Sequence, residues 1–548
     1  MGIAVQPPGG KGPTGLLINR LLQVAACALT LAVLALLAPL AGAGLRRIPA
    51  IHSVAAGAFP SAARPSLLRL IVASPADADA CAAIVARAAA EPSAGGGGAL
   101  AFAVAADARD AFAARLAGAL VLPAAGCPSS AVGAVGDAAA TCRVLAGVCG
   151  ALAAANFEFV AVVEPADAWR VDAGAVAASA ARSGLYWGPM ASSHGVPQSY
   201  QVVWPRVLWP TMAAPFFVLG RDVAAALCAM RESGLPLKLF GPPPYWVGVA
   251  LRTLEGLVYV DSVSGREVEA WPAARVPAPA ATQRVRVDIV LVIPNPWPWA
   301  ARRRAQFEAF LATQRRVRGA FTAKLIFVMG SETNGPPPEE APEEASARAH
   351  PDVHFVSAPA CPDVDEFVPS RWDGQMFPPI NSSTTCKVLE GIAVASERFD
   401  FAYLARVGDD AYFRWDYFLR ERAGALPKAG LYLGSINRIQ AVFDHLRGVF
   451  GNGRFFPYAT GQGWVLSSDV ARYLAGGYRR SPRLRTVGPE DAAIALHLWP
   501  FSVIPMDSQD FHVTQSKGGK ACTAQSLLVH YMTPALVRFG ASNQAHVV

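Results

Sequence analysis

The sequence predicts an α/β protein made of two tandem copies of one domain behind an amino-terminal membrane helix, the first copy degenerate. Three observations carry this reading. Residues 21–45 form an uncharged apolar run, strand-like and helix-like stretches alternate through the rest of the chain, and one series of short motifs occurs twice in the same order.

The run at 21–45 has Gln23 as its one strongly polar side chain. At about 1.5 Å per residue it is long enough to cross a hydrocarbon core of roughly 30 Å. Leu40-Ala41-Gly42-Ala43 resembles a small-residue cleavage site, so a signal peptide is the rival, but the run exceeds the usual core of about 7 to 15 residues. A retained anchor is the expectation. Lys11 and Arg20 precede it and Arg46-Arg47 follow, so charge does not set the orientation. The simplest topology is a cytosolic tail (1–20), an anchor (21–45), a Pro/Ala/Ser-rich stem (46–66) and a luminal bulk.

Composition narrows the function classes. The net charge of +7 in 548 residues is modest, and its short Arg clusters, Arg302 to Arg304 and Arg315-Arg316 with Arg318, are not interleaved with aromatics. Nucleic acid is therefore not an expected partner. Of nine cysteines, Cys27 lies in the span and eight remain that can pair, with no CxxC to suggest a zinc ribbon. Asn381-Ser382-Ser383 is an N-glycosylation acceptor.

Strand-like segments at 68–73 and 99–104 open the first copy (67–272). A Pro/Ala linker (273–285) follows. The second copy (286–548) opens with a strand at 287–293, an Arg-rich helix from about 298 to 318 and a strand at 324–330. Thr141-Cys142-Arg143-Val144-Leu145-Ala146-Gly147 answers Thr385-Cys386-Lys387-Val388-Leu389-Glu390-Gly391, and Phe157-Glu158-Phe159 answers Phe399-Asp400-Phe401. Gly184 to Gly188 answers Gly430 to Gly434, Val218 to Asp222 answers Val465 to Asp469, and Tyr259 to Ser262 answers Pro505 to Ser508.

The second copy carries the acids. Its apolar run from Phe399 ends in Gly408-Asp409-Asp410, two oxygen donors at the carboxyl end of a strand, where α/β sheets bind ligands and where a hard cation is suited. The bland alternative is an acidic turn. In the first copy Glu164-Pro165-Ala166-Asp167 stands at that place, Pro243-Pro244 faces Glu490-Asp491, and Ala213-Ala214-Pro215-Phe216 faces Thr460-Gly461-Gln462-Gly463. Chemistry is thus assigned to the second copy.

The order Val407-Gly408-Asp409-Asp410-Ala411-Tyr412-Phe413, Phe456 to Ser467, Gly488-Pro489-Glu490-Asp491-Ala492 and Leu528-Val529-His530-Tyr531-Met532-Thr533-Pro534 resembles the β-1,3-glycosyltransferase superfamily, over roughly residues 287–539. The family's acidic motif usually has three acids, and here the first is Gly408. The resemblance implies a GT-A fold in both copies and a Golgi membrane protein of type II. It also implies transfer of galactose or N-acetylglucosamine from a UDP-sugar to a glycan acceptor, with inversion and in β-1,3 linkage.

On that reading Asp410, Asp409 and His530 hold Mn²⁺ or Mg²⁺, with the imidazole suiting Mn²⁺. Asp491 is the base that accepts the acceptor's proton, and Glu490 positions it. Asp409, Arg406, Lys387, Gly461, Gly463 and Trp464 face the nucleotide-sugar. His512 is a rival metal ligand, and a helix-capping role for Glu490-Asp491 is compatible with the catalytic one. The alternative function is a glycan-binding or chaperone-like protein without turnover. Homo- and hetero-oligomers are both compatible with the sequence.

Overall fold

The computed structural model describes residues between Leu67 and Ser542, with interruptions. The expected tail, span and stem, the stretch 271–282 with most of the linker, Asn381, Cys522 and the Glu164 to Asp167 segment lie outside the described residues. Among the described residues no helix is long and apolar enough to cross a membrane. Pro65–Val548 forms one compact unit that contains two large mixed sheets.

The first sheet is built from β1 (Leu67–Val72), β2 (Ala99–Ala105), β3 (Leu120–Ala124), β4 (Phe159–Val163), β5 (Leu185–Gly188), β6 (Phe216–Gly220), β7 (Val258–Asp261) and β8 (Glu267–Ala270). The second comprises β9 (Val285–Pro294), β10 (Ala323–Met329), β11 (Val353–Ser357), β12 (Phe399–Val407), β14 (Tyr432–Asn437), β15 (Tyr458–Ser467) and β16 (Pro505–Asp507). Three short strands, β13 (Tyr412–Phe413), β17 (Phe511–Val513) and β18 (Leu528–His530), form a small sheet of their own in the order β13-β18-β17. Among the helices are α1 (Ala78–Ala90), α2 (Gly136–Ala154), α3 (Arg221–Glu232), α4 (Pro243–Arg252), α5 (Ala300–Val317), α6 (Pro342–Ala349), α7 (Ser383–Arg398), α8 (Ser468–Arg479), α9 (Glu490–Leu498) and α10 (Pro534–Ser542).

Strand order in the first sheet is β3-β2-β1-β4-β6-β5-β7-β8, and in the second β11-β10-β9-β12-β15-β14-β16. Orientations match as well. Four parallel strands lead each sheet (β1 with β2 and β4, β9 with β10 and β12), an antiparallel strand follows (β6, β15), and the next pair closes in parallel (β5 with β7, β14 with β16). The repeated sequence motifs fall on matching elements: α2 and α7, β4 and β12, β6 into α3 and β15 into α8, β7 and β16. β4 and β6 are buried at every position, as strands covered on both faces require.

Helix α7 shows why its residues form what they do. Ser382 caps it, its hydroxyl accepting from Thr385 N at 3.2 Å, and apolar residues from Val388 to Ala395 line its buried side. Gly391 lets it lie flat on the sheet, since a Cβ there would stand 2.4 Å from Val292 Cγ1 and 2.8 Å from Val328 Cγ2. Disulfides tie both matching helices at the matching cysteine, Cys127–Cys142 and Cys361–Cys386, and a third joins Cys149 to Cys228.

The two sheets share one apolar core. Trp246, Leu251 and Leu254 from the first half belong to the same buried cluster as Leu484, Leu498 and Phe501 from the second. Short bridges Leu254 to Leu484 and Leu237 to Phe501 cross the junction. Fully buried Arg485 donates from its backbone N to Thr253 O at 2.9 Å and from Nε to Leu254 O at 2.7 Å, so the chain entering α9 is anchored on the first half.

Candidate active site

Strand β12 ends at Val407, and the turn that follows is closed by two backbone bonds, Gly408 N to Gln462 O at 3.0 Å and Ala411 N to Gly408 O at 3.1 Å. Its two acids then diverge. Asp409 turns toward the start of α5, where Asn295 Nδ2 and Arg302 Nη1 each donate to one carboxylate oxygen at 2.9 Å. Arg303 Nη1 locks Asn295 from behind, donating to its Oδ1 at 2.6 Å and to Pro296 O at 2.8 Å. Gln306 Nε2 reaches the turn's carbonyls at Asp409 (3.2 Å) and Ala411 (2.5 Å).

Asp410 faces the small sheet instead. β13 pairs antiparallel with β18 through Tyr412 opposite Val529, which carries His530 back to the turn, and His530 Nε2 lies 3.0 Å from Asp410 Oδ1. Met532 N donates to Asp410 O at 2.8 Å.

Burial raises the Asp409 carboxyl above its usual range; Arg302 pulls it back and the Asp410 charge adds to the rise. At Asp410 burial works in the same direction, but the hydrogen bond and charge of His530, with Arg302, outweigh it and the carboxyl falls below its usual range.

The second acid pair opens α9. Glu490 Oε2 pairs with Arg406 Nη2 at 3.0 Å, both side chains buried, and Arg406 Nη1 also donates to Gly461 O. Asp491 accepts from Gly461 N at 3.0 Å through Oδ2 and from Ala492 N at 2.9 Å through Oδ1. Burial raises the Asp491 carboxyl, while those two backbone donors and Arg406 oppose the rise. One arginine, two residues before the acidic turn, therefore joins that turn to the acids of α9, with β15 between them.

The structure brings Asp409, Asp410, His530, Arg406, Gly461, Glu490 and Asp491 to one edge of the second sheet. Two expectations need correction. Asp409 is not directed at His530 with Asp410: its oxygens accept from Asn295 and Arg302, which turns it toward α5 and anchors the turn. Trp464 is fully buried in the core, edge-on to Tyr432, and an enclosed indole offers no face to a sugar. Lys387 lies buried within α7. His512 lies in β17 in register with Val529, whereas His530 is in register with Val513.

Asn295 and Gln306 were not singled out from the sequence, and Arg303 only as part of an Arg cluster. Their signal was an Asn just past the first strand of the second half, followed by the Arg cluster. Among the described residues no group of three or more His, Cys, Asp and Glu converges as a metal cage. Asp410 and His530 alone converge, an oxygen and a nitrogen donor that together suit a cation completed by ligand oxygens and water.

Gly463 keeps β15 against both its neighbours. A Cβ there would stand 2.2 Å from Leu528 Cδ1 and 3.0 Å from Arg406 O, a side chain that can swing aside and a backbone atom that cannot do so without moving β12. Gly463→Ala should lower stability by about 1–3 kcal/mol, measured by urea unfolding; an unchanged midpoint and slope would refute the packing argument.

No family model matches the chain. It is 24% identical over 156 residues to a hydroxyproline O-galactosyltransferase of Arabidopsis thaliana (27% of this chain, 22% of the relative). It is 29% identical over 164 residues to β-1,3-galactosyltransferase 6 of Mus musculus (27% and 46%). The chain thus spans less than half the length of either relative. Solved structures with some likeness include the galactosyltransferase LgtC with donor and acceptor sugar analogues (TM-score 0.28, 10% identity, 47% of this chain and 94% of that one). Another is the bifunctional glycosyltransferase WbbM (TM-score 0.27, 8% identity, 71% and 84%). In sequence, what this chain is similar to is the galactosyltransferases of the β-1,3-glycosyltransferase superfamily.

Proposed function

We propose that the second half is a GT-A-like, metal-dependent inverting glycosyltransferase that moves a hexose from a UDP-sugar to a glycan acceptor hydroxyl, in β-1,3 linkage, and that the first half is its degenerate copy. The observation that carries this reading is the linkage of two acid centres at one sheet edge, Asp410 with His530 and Asp491 on α9, held together through Arg406 and Gly461. UDP-galactose is the first donor to test, because both relatives are named galactosyltransferases; UDP-N-acetylglucosamine is the second.

Asp410 Oδ and His530 Nε2 are the donors that would hold Mn²⁺, or Mg²⁺. A cation held by these two donors would neutralise charge building on the departing nucleoside diphosphate. Asp491 accepts the proton of the acceptor hydroxyl as its oxygen attacks the anomeric carbon on the face opposite the leaving group. Two backbone N–H groups fix the Asp491 carboxylate while leaving each oxygen a further lone pair. Glu490, tied to Arg406, positions the start of α9.

Three disulfides belong in an oxidising compartment, which supports placing residues 46–548 in the Golgi lumen with 21–45 as the anchor.

The deciding experiment incubates the protein with Mn²⁺, each UDP-sugar and a panel of β-linked glycans, and follows transfer across pH. A base works ionised, and burial raises Asp491, so activity should fall with decreasing pH at a higher pH than an ordinary carboxylate would give. An acid limb at or below the usual carboxylate range would remove Asp491 from the base role. UDP binding without transfer to any acceptor would favour a glycan-binding protein that has lost turnover.

A further inference from the structure

Three buried N–H donors stand at the paired ends of β12 and β15 with no protein acceptor: Gln462 Nε2, Arg406 Nε and Trp464 Nε1. Arg406 and Trp464 are register partners across the two strands, and Gln462 lies two residues before Trp464. All three residues are at least nine-tenths buried. Native structures rarely leave such donors unmatched, and the partner is often a group that the chain itself does not supply.

Gln462 is the one whose position relates directly to the reaction. Its carbonyl holds Gly408 N of the acidic turn, and the residue before it, Gly461, donates to Asp491. The transferred sugar has to lie between the group that holds the leaving diphosphate and the base that faces its anomeric carbon. A hexose presents neutral hydroxyl oxygens there, and a neutral amide N–H matches them. Arg406 is already committed to Glu490 and Gly461 O, and Trp464 is the most enclosed of the three.

The geometry points to Gln462 as a donor-sugar specificity residue whose Nε2–H donates to a hydroxyl oxygen of the nucleotide-linked hexose, an inference that rests on the function proposed above. Gln462→Met keeps length and approximate volume while removing the amide. With Mn²⁺ present, calorimetry should show an unchanged Kd for UDP and a Kd for UDP-galactose weakened about tenfold. Its Tm without donor should not fall, because the amide has no protein partner to lose. Among singly deoxygenated UDP-galactose analogues, one should bind the unsubstituted protein weakly and be indifferent to Gln462→Met.

Equal UDP-galactose affinity in both proteins overturns the inference while leaving the proposed function standing. A lowered Tm with UDP and UDP-galactose weakened alike assigns Gln462 a structural role and also overturns it. Absence of UDP binding by the unsubstituted protein overturns both readings.

Discussion

Replacing Asp491 by Asn should lower kcat about 1,000-fold with little change in the Kd for UDP. The carboxylate is proposed to act on the acceptor, and no contact of the acidic turn depends on it, so the loss belongs to the chemical step. The substitution has a structural side effect that can be measured. Both carboxylate oxygens accept a backbone N–H, from Gly461 and Ala492, so an Asn amide must turn its NH₂ toward one of those donors. A destabilisation of about 1 kcal/mol is expected from that mismatch. Asp491→Ala, which carries no amide, provides the control: both variants should lose turnover to a similar degree in single-turnover assays. A kcat within about tenfold of the unsubstituted enzyme in either variant would remove Asp491 as the base.

Asp410→Asn should abolish Mn²⁺-dependent UDP binding and lower kcat/KM about 100-fold or more, since an amide is a far weaker cation ligand than a carboxylate. The fold has little reason to change. The turn is closed by backbone bonds from Gly408, Ala411 and Met532, none of which uses the Asp410 side chain. Titration calorimetry of UDP with and without Mn²⁺ is the appropriate measurement. An enhancement by Mn²⁺ in Asp410→Asn equal to that of the unsubstituted protein would show that the cation is held elsewhere.

Much of the scaffold was legible because its signals are periodic and local. The strand at 287–293 appears as β9 (Val285–Pro294), the Arg-rich stretch as α5 (Ala300–Val317), and the run from Phe399 as β12 ending just before the acids. The repeated motifs have a physical counterpart in the two halves: Phe157 and Phe399 are both buried, and Cys142 and Cys386 each close a disulfide on the matching helix.

The site was less legible because it depends on side-chain direction. Adjacent acids on a turn can diverge, and only the three-dimensional arrangement shows Asp409 given to Asn295 and Arg302 while Asp410 meets His530, 120 residues downstream in the sequence. Trp464 misled for the same reason. A Trp beside two glycines suggests an open platform, yet β15 carries it into the core.

The junction through Arg485 bears on how the enzyme can be shortened. A fragment beginning at β9 would take the Leu254 carbonyl from the buried guanidinium and the Thr253 carbonyl from the Arg485 backbone N–H, and would expose apolar side chains that share one buried cluster with Trp246 and Leu251. Expression of the carboxyl-terminal half by itself should therefore give insoluble material, the first half acting as a built-in folding partner for the second.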